Sequence, residues 1–141
     1  MTVQEVKERL GSVYVKYREY VLAEEKADQF RDMISLPAPV DTSSDAPKPE
    51  SSGSNATENR YIAALWYSEQ ADKKFREYMI ARQGAEMIIN SVRFPDEKEV
   101  LTRRYIMFQK WEEIAERIYM TPRNVHYLHG NALSRISESF H

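Results

Sequence analysis

The chain has 141 residues, 30% of them charged and 42% apolar, with a net charge of −2. That suffices for one ordinary domain, or for a small domain carrying a helical arm. The absence of cysteine removes disulfides, zinc fingers, thiol nucleophiles and iron–sulfur ligation together. No apolar run approaches about 18 residues, so no membrane span is expected, and the charged opening MTVQEVKERLGSVYVKY lacks the apolar core of a signal peptide. The expected location is therefore cytoplasmic. A pI near 6.0 sets a condition on any nucleic-acid partner: phosphate neutralisation must come from local charge, or with help from another protein.

Residues 2 to 35 read as one long helix, with Val3, Val6, Leu10, Val13, Tyr17 and Tyr20 spaced by three and four, and Ala27, Phe30, Met33 and Ile34 beyond. Residues 36 to 57 hold four of the six prolines among Ser, Asp, Thr and Gly, with no aromatic residue. Such a segment buries too little surface to offset its ordering entropy, so a disordered linker is expected. A second long helix is expected over 58 to 93, with Thr57 as N-cap and Glu58 in the first turn. Its apolar positions are Tyr61, Ile62, Leu65, Trp66, Phe75, Met79, Met87, Ile88 and Val92, and they do not form a clean heptad. The two helices can fold back as a hairpin or pair across a homodimer.

Phe94-Pro95 breaks the chain, and residues 94 to 141 hold three shorter helices. The first runs from Asp96 to about Met107, and its acidic start complements the helix dipole. The second runs from Trp111 to about Ile118, burying Trp111, Ile114, Ala115 and Ile118. Thr121 then caps a third helix with Pro122 at its first position, running to about Ser137 with Val125, Leu128, Ala132, Leu133 and Ile136 inward. Two helices, a short turn and a capped third helix make a helix-turn-helix, with the small Ala115 where the second and third must approach closely. The expected fold class is thus all-α: a long helical hairpin or coiled-coil arm, then a C-terminal three-helix helix-turn-helix domain.

In that pattern the third helix faces the major groove of double-stranded DNA with its N-terminal residues. Arg123, Asn124, His126 and Tyr127 point outward there; Arg pairs bidentately with guanine and Asn with adenine. Arg103, Arg104, Lys110 and Arg117 are placed to hold flanking phosphates. The free N–H groups beside Thr121 suit a further phosphate, and Asn131 completes the phosphate set.

The stretch VLTRRYIMFQKWEEIAERIYMTPRNVHYLHGNALSRI resembles region 4 of the primary sigma factors: a Leu–Arg–Tyr helix, an EEIA helix, a turn, a Thr cap, and a third helix ending AL..I. It resembles more closely a phage family built on that module, the late-gene transcriptional regulators of the ArpU/RinA type, through RYI…KWEEIAE (Arg104 to Glu116) and R.VH.LHG.AL (Arg123 to Leu133). The resemblance is specific over residues 86 to 137 and extends to residues 1 to 85 only in general character. It implies regulation of phage or prophage genes through promoter-type DNA, with contact to host RNA polymerase. It also implies base-facing positions at Arg123, Asn124, His126 and Tyr127. Pro122 and Tyr127 depart from the polar DNA-contacting types of the sigma factors, so a standard −35 element is not the expected target.

The remaining motifs weigh towards ordinary roles. His126 and His129 stand three apart, but with no Cys and no acidic third ligand nearby they read as groove-facing or packing imidazoles. Glu112 and Glu113 do not share a helix face; helix-start stabilisation accounts for them, together with pairing to Arg103 or Arg104. No nucleophile–base arrangement and no glycine-rich phosphate loop is present, so neither catalysis nor a cofactor is expected. Two alternatives remain open: a sigma-like adaptor that grips RNA polymerase without reading DNA, and a small subunit of a phage DNA-packaging machine.

Overall fold

The computed structural model describes residues 1–35 and 51–140 and is all-helical, with no strand among them. In order it comprises α1 (Val3–Ser35), α2 (Ser51–Asn90), α3 (Pro95–Leu101) running on into a π-helical turn (Thr102–Ile106), α4 (Trp111–Arg117) and α5 (Pro122–Ser139). No helix among the described residues is long and apolar enough to cross a membrane.

α1 starts on a capping box. The Thr2 hydroxyl accepts from the Glu5 N–H at 3.1 Å, and the Glu5 carboxylate accepts from the Thr2 N–H at 3.0 Å, so two orphan donors are satisfied reciprocally. α2 begins at Ser51, so Thr57 lies inside the helix and is not its cap. Extending a helix already nucleated by packing costs far less than starting one, and Ser, Gly and Asn at 51–55 do not stop it. Of the expected linker, residues 36–50 lie outside the described residues.

The buried face of α2 also differs from the expected stripe. Ala64, Ala71, Tyr78 and Ala85 recur at seven-residue intervals and are all buried, as is Ile88. Tyr61, Ile62, Leu65, Trp66, Phe75 and Met87 are exposed. Weighting positions by side-chain bulk had hidden a heptad whose seam is largely alanine; small side chains there let a partner helix approach while larger residues sit outside it.

The chain divides into two compact units, and the division cuts both long helices rather than falling at Phe94. The unit formed by Met1–Tyr17 and Glu77–His141 takes in the first half of α1, the end of α2 and the three short helices. Val6, Leu10 and Val13 are solvent-inaccessible. The Met1 ammonium donates to the Phe140 carbonyl at 2.7 Å and the Ser137 hydroxyl donates to the Met1 carbonyl at 2.6 Å, tying the chain start to the end of α5. Its centre is Val100, Ile114, Ala115 and Val125, with Trp111, Ile118, Met120 and Leu128 packed around them. The unit Arg18–Arg76 is an antiparallel helix pair. Tyr20 meets Phe75 at 5.2 Å and Phe30 stacks on Tyr67 at 4.4 Å between ring centroids, while Lys74 pairs with Glu19 at 3.6 Å.

Candidate nucleic-acid interface

α5 is held by a platform whose central feature is the π-helical turn. Its signature bond runs from the Met107 N–H to the Thr102 carbonyl at 3.0 Å, and the Thr102 hydroxyl bonds back to the Lys98 carbonyl at 2.9 Å. One extra residue in the turn rotates the side chains beyond it: Tyr105 and Ile106 are buried, while Arg103 and Arg104 remain half-exposed. Phe108 then adopts a left-handed φ of 58°, and its ring packs against Tyr14 and Tyr17 at 5.2 and 5.1 Å.

Tyr105 reaches α5 directly, its hydroxyl 2.7 Å from His129 Nε2. Trp111 lies edge-on to the same imidazole at 4.8 Å, contacts the His126 ring at 4.5 Å, and carries the Arg104 guanidinium on its face at 4.4 Å. Burial holds the His129 pKa down to about 4, aided by the positive charges of Lys7, His126 and Arg104. Desolvation likewise raises the Tyr105 phenol, opposed by Arg104. At neutral pH this is therefore an uncharged Tyr–His pair. His129 is a packing residue beneath the helix rather than a groove-facing one.

The turn between α4 and α5 is a Schellman motif. The Met120 N–H returns to the Ala115 carbonyl at 3.0 Å and the Tyr119 N–H to the Glu116 carbonyl at 3.4 Å. The left-handed position usually given to glycine is occupied by Tyr119, φ 57°, with its side chain 95% exposed. Thr121 then caps α5, its hydroxyl accepting from the Asn124 N–H at 3.1 Å. Val125, His129, Ala132, Leu133 and Ile136 form the buried stripe of α5, and Leu128 packs beside it.

All four base-reading candidates lie on the exposed side of α5. By helical periodicity Arg123, Tyr127 and Gly130 form one row, with Asn124 and Asn131 on one flank and His126 on the other. The Asn124 amide nitrogen makes a weak bond to the Met120 sulfur at 3.3 Å, leaving its carbonyl oxygen available. No acidic residue occurs between Pro122 and Ser137.

The phosphate candidates separate into two groups. Lys110 and Arg117 are exposed and, like Arg123, form no ion pair with a described residue. Arg103 is engaged by Glu99 at 2.9 Å and Gln109 at 3.3 Å, and Arg104 donates to the Gln109 carbonyl at 3.1 Å besides stacking on Trp111. The expected partners Glu112 and Glu113 are replaced by Glu99 because a residue one turn earlier on the same helix face is nearer than one across the loop. Arg103 and Arg104 thus shape the platform. Thr121 remains exposed, and Asn131 is half-buried.

Sequence reasoning missed Tyr119 and Gly130. Tyr119 gave no signal because the turn position normally announces itself by glycine. Gly130 did: it sits in a helix interior, where glycine is unfavourable by about 1 kcal/mol, and a Cβ there would meet nothing within 4 Å. Nothing inside the chain requires it; a surface that another molecule approaches closely would.

Among the described residues no three His, Asp or Glu side chains gather in a metal-binding arrangement. No family model, curated protein or solved structure matches this chain.

Proposed function

We propose that the chain is a DNA-binding transcriptional regulator without catalytic activity, acting in the cytoplasm and reading double-stranded DNA of promoter type through the N-terminal turns of α5. The observation that carries the reading is the exposed, acid-free face of α5, where Arg123, Asn124, His126 and Tyr127 stand outward on a helix fixed by the Thr121 cap and the Tyr105–His129 bond. Lys110 and Arg117 supply unpaired positive charge beside it, which reconciles DNA binding with a net charge of −2. The resemblance of Arg104 to Glu116 and Arg123 to Leu133 to phage late-gene regulators of the ArpU/RinA type supports a phage or prophage setting.

The test is selection of bound duplexes from a random pool, with the Arg123→Ala/Asn124→Ala double variant alongside. Wild type should enrich one motif and the variant none, since each lost bidentate base contact removes about 1–3 kcal/mol of discrimination. Lys110→Ala and Arg117→Ala should weaken binding to every sequence and flatten its salt dependence. A wild type that enriches nothing alone, but does so with RNA polymerase present, would replace this reading by that of a sigma-like adaptor.

A further inference from the structure

A cavity of about 400 Å³ is lined by Gly11 and Tyr14 of α1, Arg104 and Tyr105 of the π-helical turn, and Phe108 and Lys110 of the loop that follows. All six belong to the compact unit formed by Met1–Tyr17 and Glu77–His141. The volume is that of a small-molecule site, roughly 300–1,000 Å³. Two of the lining residues are cations and three are aromatic, and among the described residues no carboxylate lines the cavity.

Each wall has a feature that the fold alone does not require. Gly11 sits inside α1, where glycine is an unfavourable choice, and a Cβ there would meet nothing within 4 Å. No packing within the chain demands it; its effect is to leave the helix backbone bare on the cavity wall. Lys7, Gly11 and Tyr14 follow at spacings of four and three and share one face of α1, and the Lys7 side chain is exposed. Phe108 is held at φ 58°, with its ring edge-on to Tyr14 at 5.2 Å. Such backbone persists where its surroundings fix it, and it gathers at functional sites. Arg104 donates from Nη1 to the Gln109 carbonyl at 3.1 Å, the carbonyl of the peptide leading into Lys110, and its guanidinium lies on Trp111 at 4.4 Å. That bond and that stack hold the guanidinium in place. Neither Arg104 nor Lys110 forms an ion pair with a described residue.

We propose that this cavity is a nucleotide-binding site, taking a phosphate between Arg104 and Lys110 and a base against Tyr14 and Phe108. A guanidinium fixed before the ligand arrives matches phosphate oxygens in pairs, and the ammonium of Lys110 suits the second negative charge. Aromatic rings stack on the face of any base. An inorganic anion would use the cations and leave the aromatic walls idle, and a neutral aromatic molecule would do the reverse. An aromatic monocarboxylate would leave one of the two cations uncompensated. A free nucleotide and an unpaired nucleotide of a DNA strand present the required chemistry alike. The inference does not rest on the reading of DNA by α5, although Lys110 serves both.

Calorimetric titration of the full chain with adenosine monophosphate, inorganic phosphate and adenosine as separate probes tests the site. The nucleotide should bind about tenfold or more tighter than either part, the worth of one stacked base or one charge-assisted pair. Gly11→Leu, which favours the helix, should abolish this binding by filling the cavity, with helicity by circular dichroism unchanged. Tyr14→Ala and Arg104→Lys should each weaken it about tenfold. The Arg123→Ala/Asn124→Ala variant should bind the nucleotide like wild type, which separates failure of this site from failure of the DNA reading. A single-stranded oligodeoxyadenylate that competes with the nucleotide identifies the strand as its source; one that does not compete identifies the free nucleotide. No binding of nucleotide at millimolar concentration, equal binding of either part alone, Tyr14→Ala without effect, or a folded Gly11→Leu variant that binds like wild type would each overturn the inference.

Discussion

Replacing Tyr119 by glycine should make the protein more stable, an uncommon expectation for removing an aromatic side chain. Tyr119 holds φ 57°, and left-handed backbone costs an L-residue roughly 1–2 kcal/mol that glycine does not incur. Against this stands the greater freedom of glycine in the unfolded chain, about 0.5–1 kcal/mol. Nothing else opposes the gain, because the side chain is 95% exposed and the two Schellman bonds are made by backbone atoms. The net expectation for Tyr119→Gly is a gain of about 0.5–1 kcal/mol, or about 2–4 °C in Tm for a chain of this size. Tyr119→Ala keeps the left-handed strain and should leave stability within about 0.5 kcal/mol of wild type. Urea denaturation monitored by circular dichroism reads both. If Tyr119→Gly lowers the midpoint, or if the alanine variant gains as much as the glycine one, backbone strain at this turn is not what the left-handed φ represents.

The buried polar groups carry two further expectations. His129 is held near pKa 4 in the folded state against about 6.5 unfolded, so the unfolded chain binds the extra proton and stability falls as pH drops from about 6.5 to about 4. The full shift corresponds to about 3 kcal/mol, reduced to about 1–2 kcal/mol by solvent screening near the surface; His129→Gln should remove this component from urea midpoints measured across that range, and an unchanged pH profile would refute the assignment. Glu97 is 3% exposed, with Oε1 3.5 Å from Arg135 and Oε2 without a partner, while the same guanidinium covers the Phe94 ring at 4.1 Å. Arg135→Ala should cost about 1–3 kcal/mol by leaving a buried carboxylate unpaired, less than a fully buried pair because Arg135 is itself half-exposed; adding Glu97→Gln should recover part of it, and a loss below about 0.5 kcal/mol in the single variant would show the pair to be inert.

The three short helices were readable to within a few residues because their stop and start signals are local. Phe94-Pro95 and Thr121-Pro122 mark chain breaks whatever surrounds them, and Val100, Ile114, Val125 and Ile136 carry an unambiguous stripe. The exposure of Arg123, Asn124, His126 and Tyr127 was legible in the same periodicity. The long helices were harder. In α2 the seam is made by Ala64, Ala71 and Ala85, residues equally at home inside or outside, while the conspicuous Tyr61, Leu65 and Trp66 lie on the other side; hydropathy ranks them in the wrong order. The joining of Met1 to the end of α5 rests on tertiary contacts to Phe140 and Ser137, over a hundred residues away, which no local pattern encodes. The π turn was equally hidden, since no helix-breaking residue marks it, and the Tyr105–His129 bond that accompanies it is a tertiary contact.

Departures from regular backbone are not scattered evenly through this chain. The described parts of α1 and α2 run as uninterrupted helix, whereas the π turn, the left-handed Phe108 and the left-handed Tyr119 all fall within the short span between α3 and α5. Strained backbone persists only where surrounding structure fixes it, and it gathers at functional surfaces. Phe108 is fixed in this way by its ring against Tyr14 and Tyr17; Tyr119 is held by the backbone bonds of its turn alone, with its side chain in solvent. An exposed aromatic residue kept in a conformation that glycine would occupy with less strain, immediately before the N-terminus of the proposed reading helix, gains nothing for the fold. Its retention is explained if the ring meets the same partner as Arg123 and Tyr127. Tyr119→Gly should then weaken DNA binding while strengthening the fold. If affinity is unchanged as stability rises, Tyr119 lies outside the contact surface, and the reading face begins at Arg123.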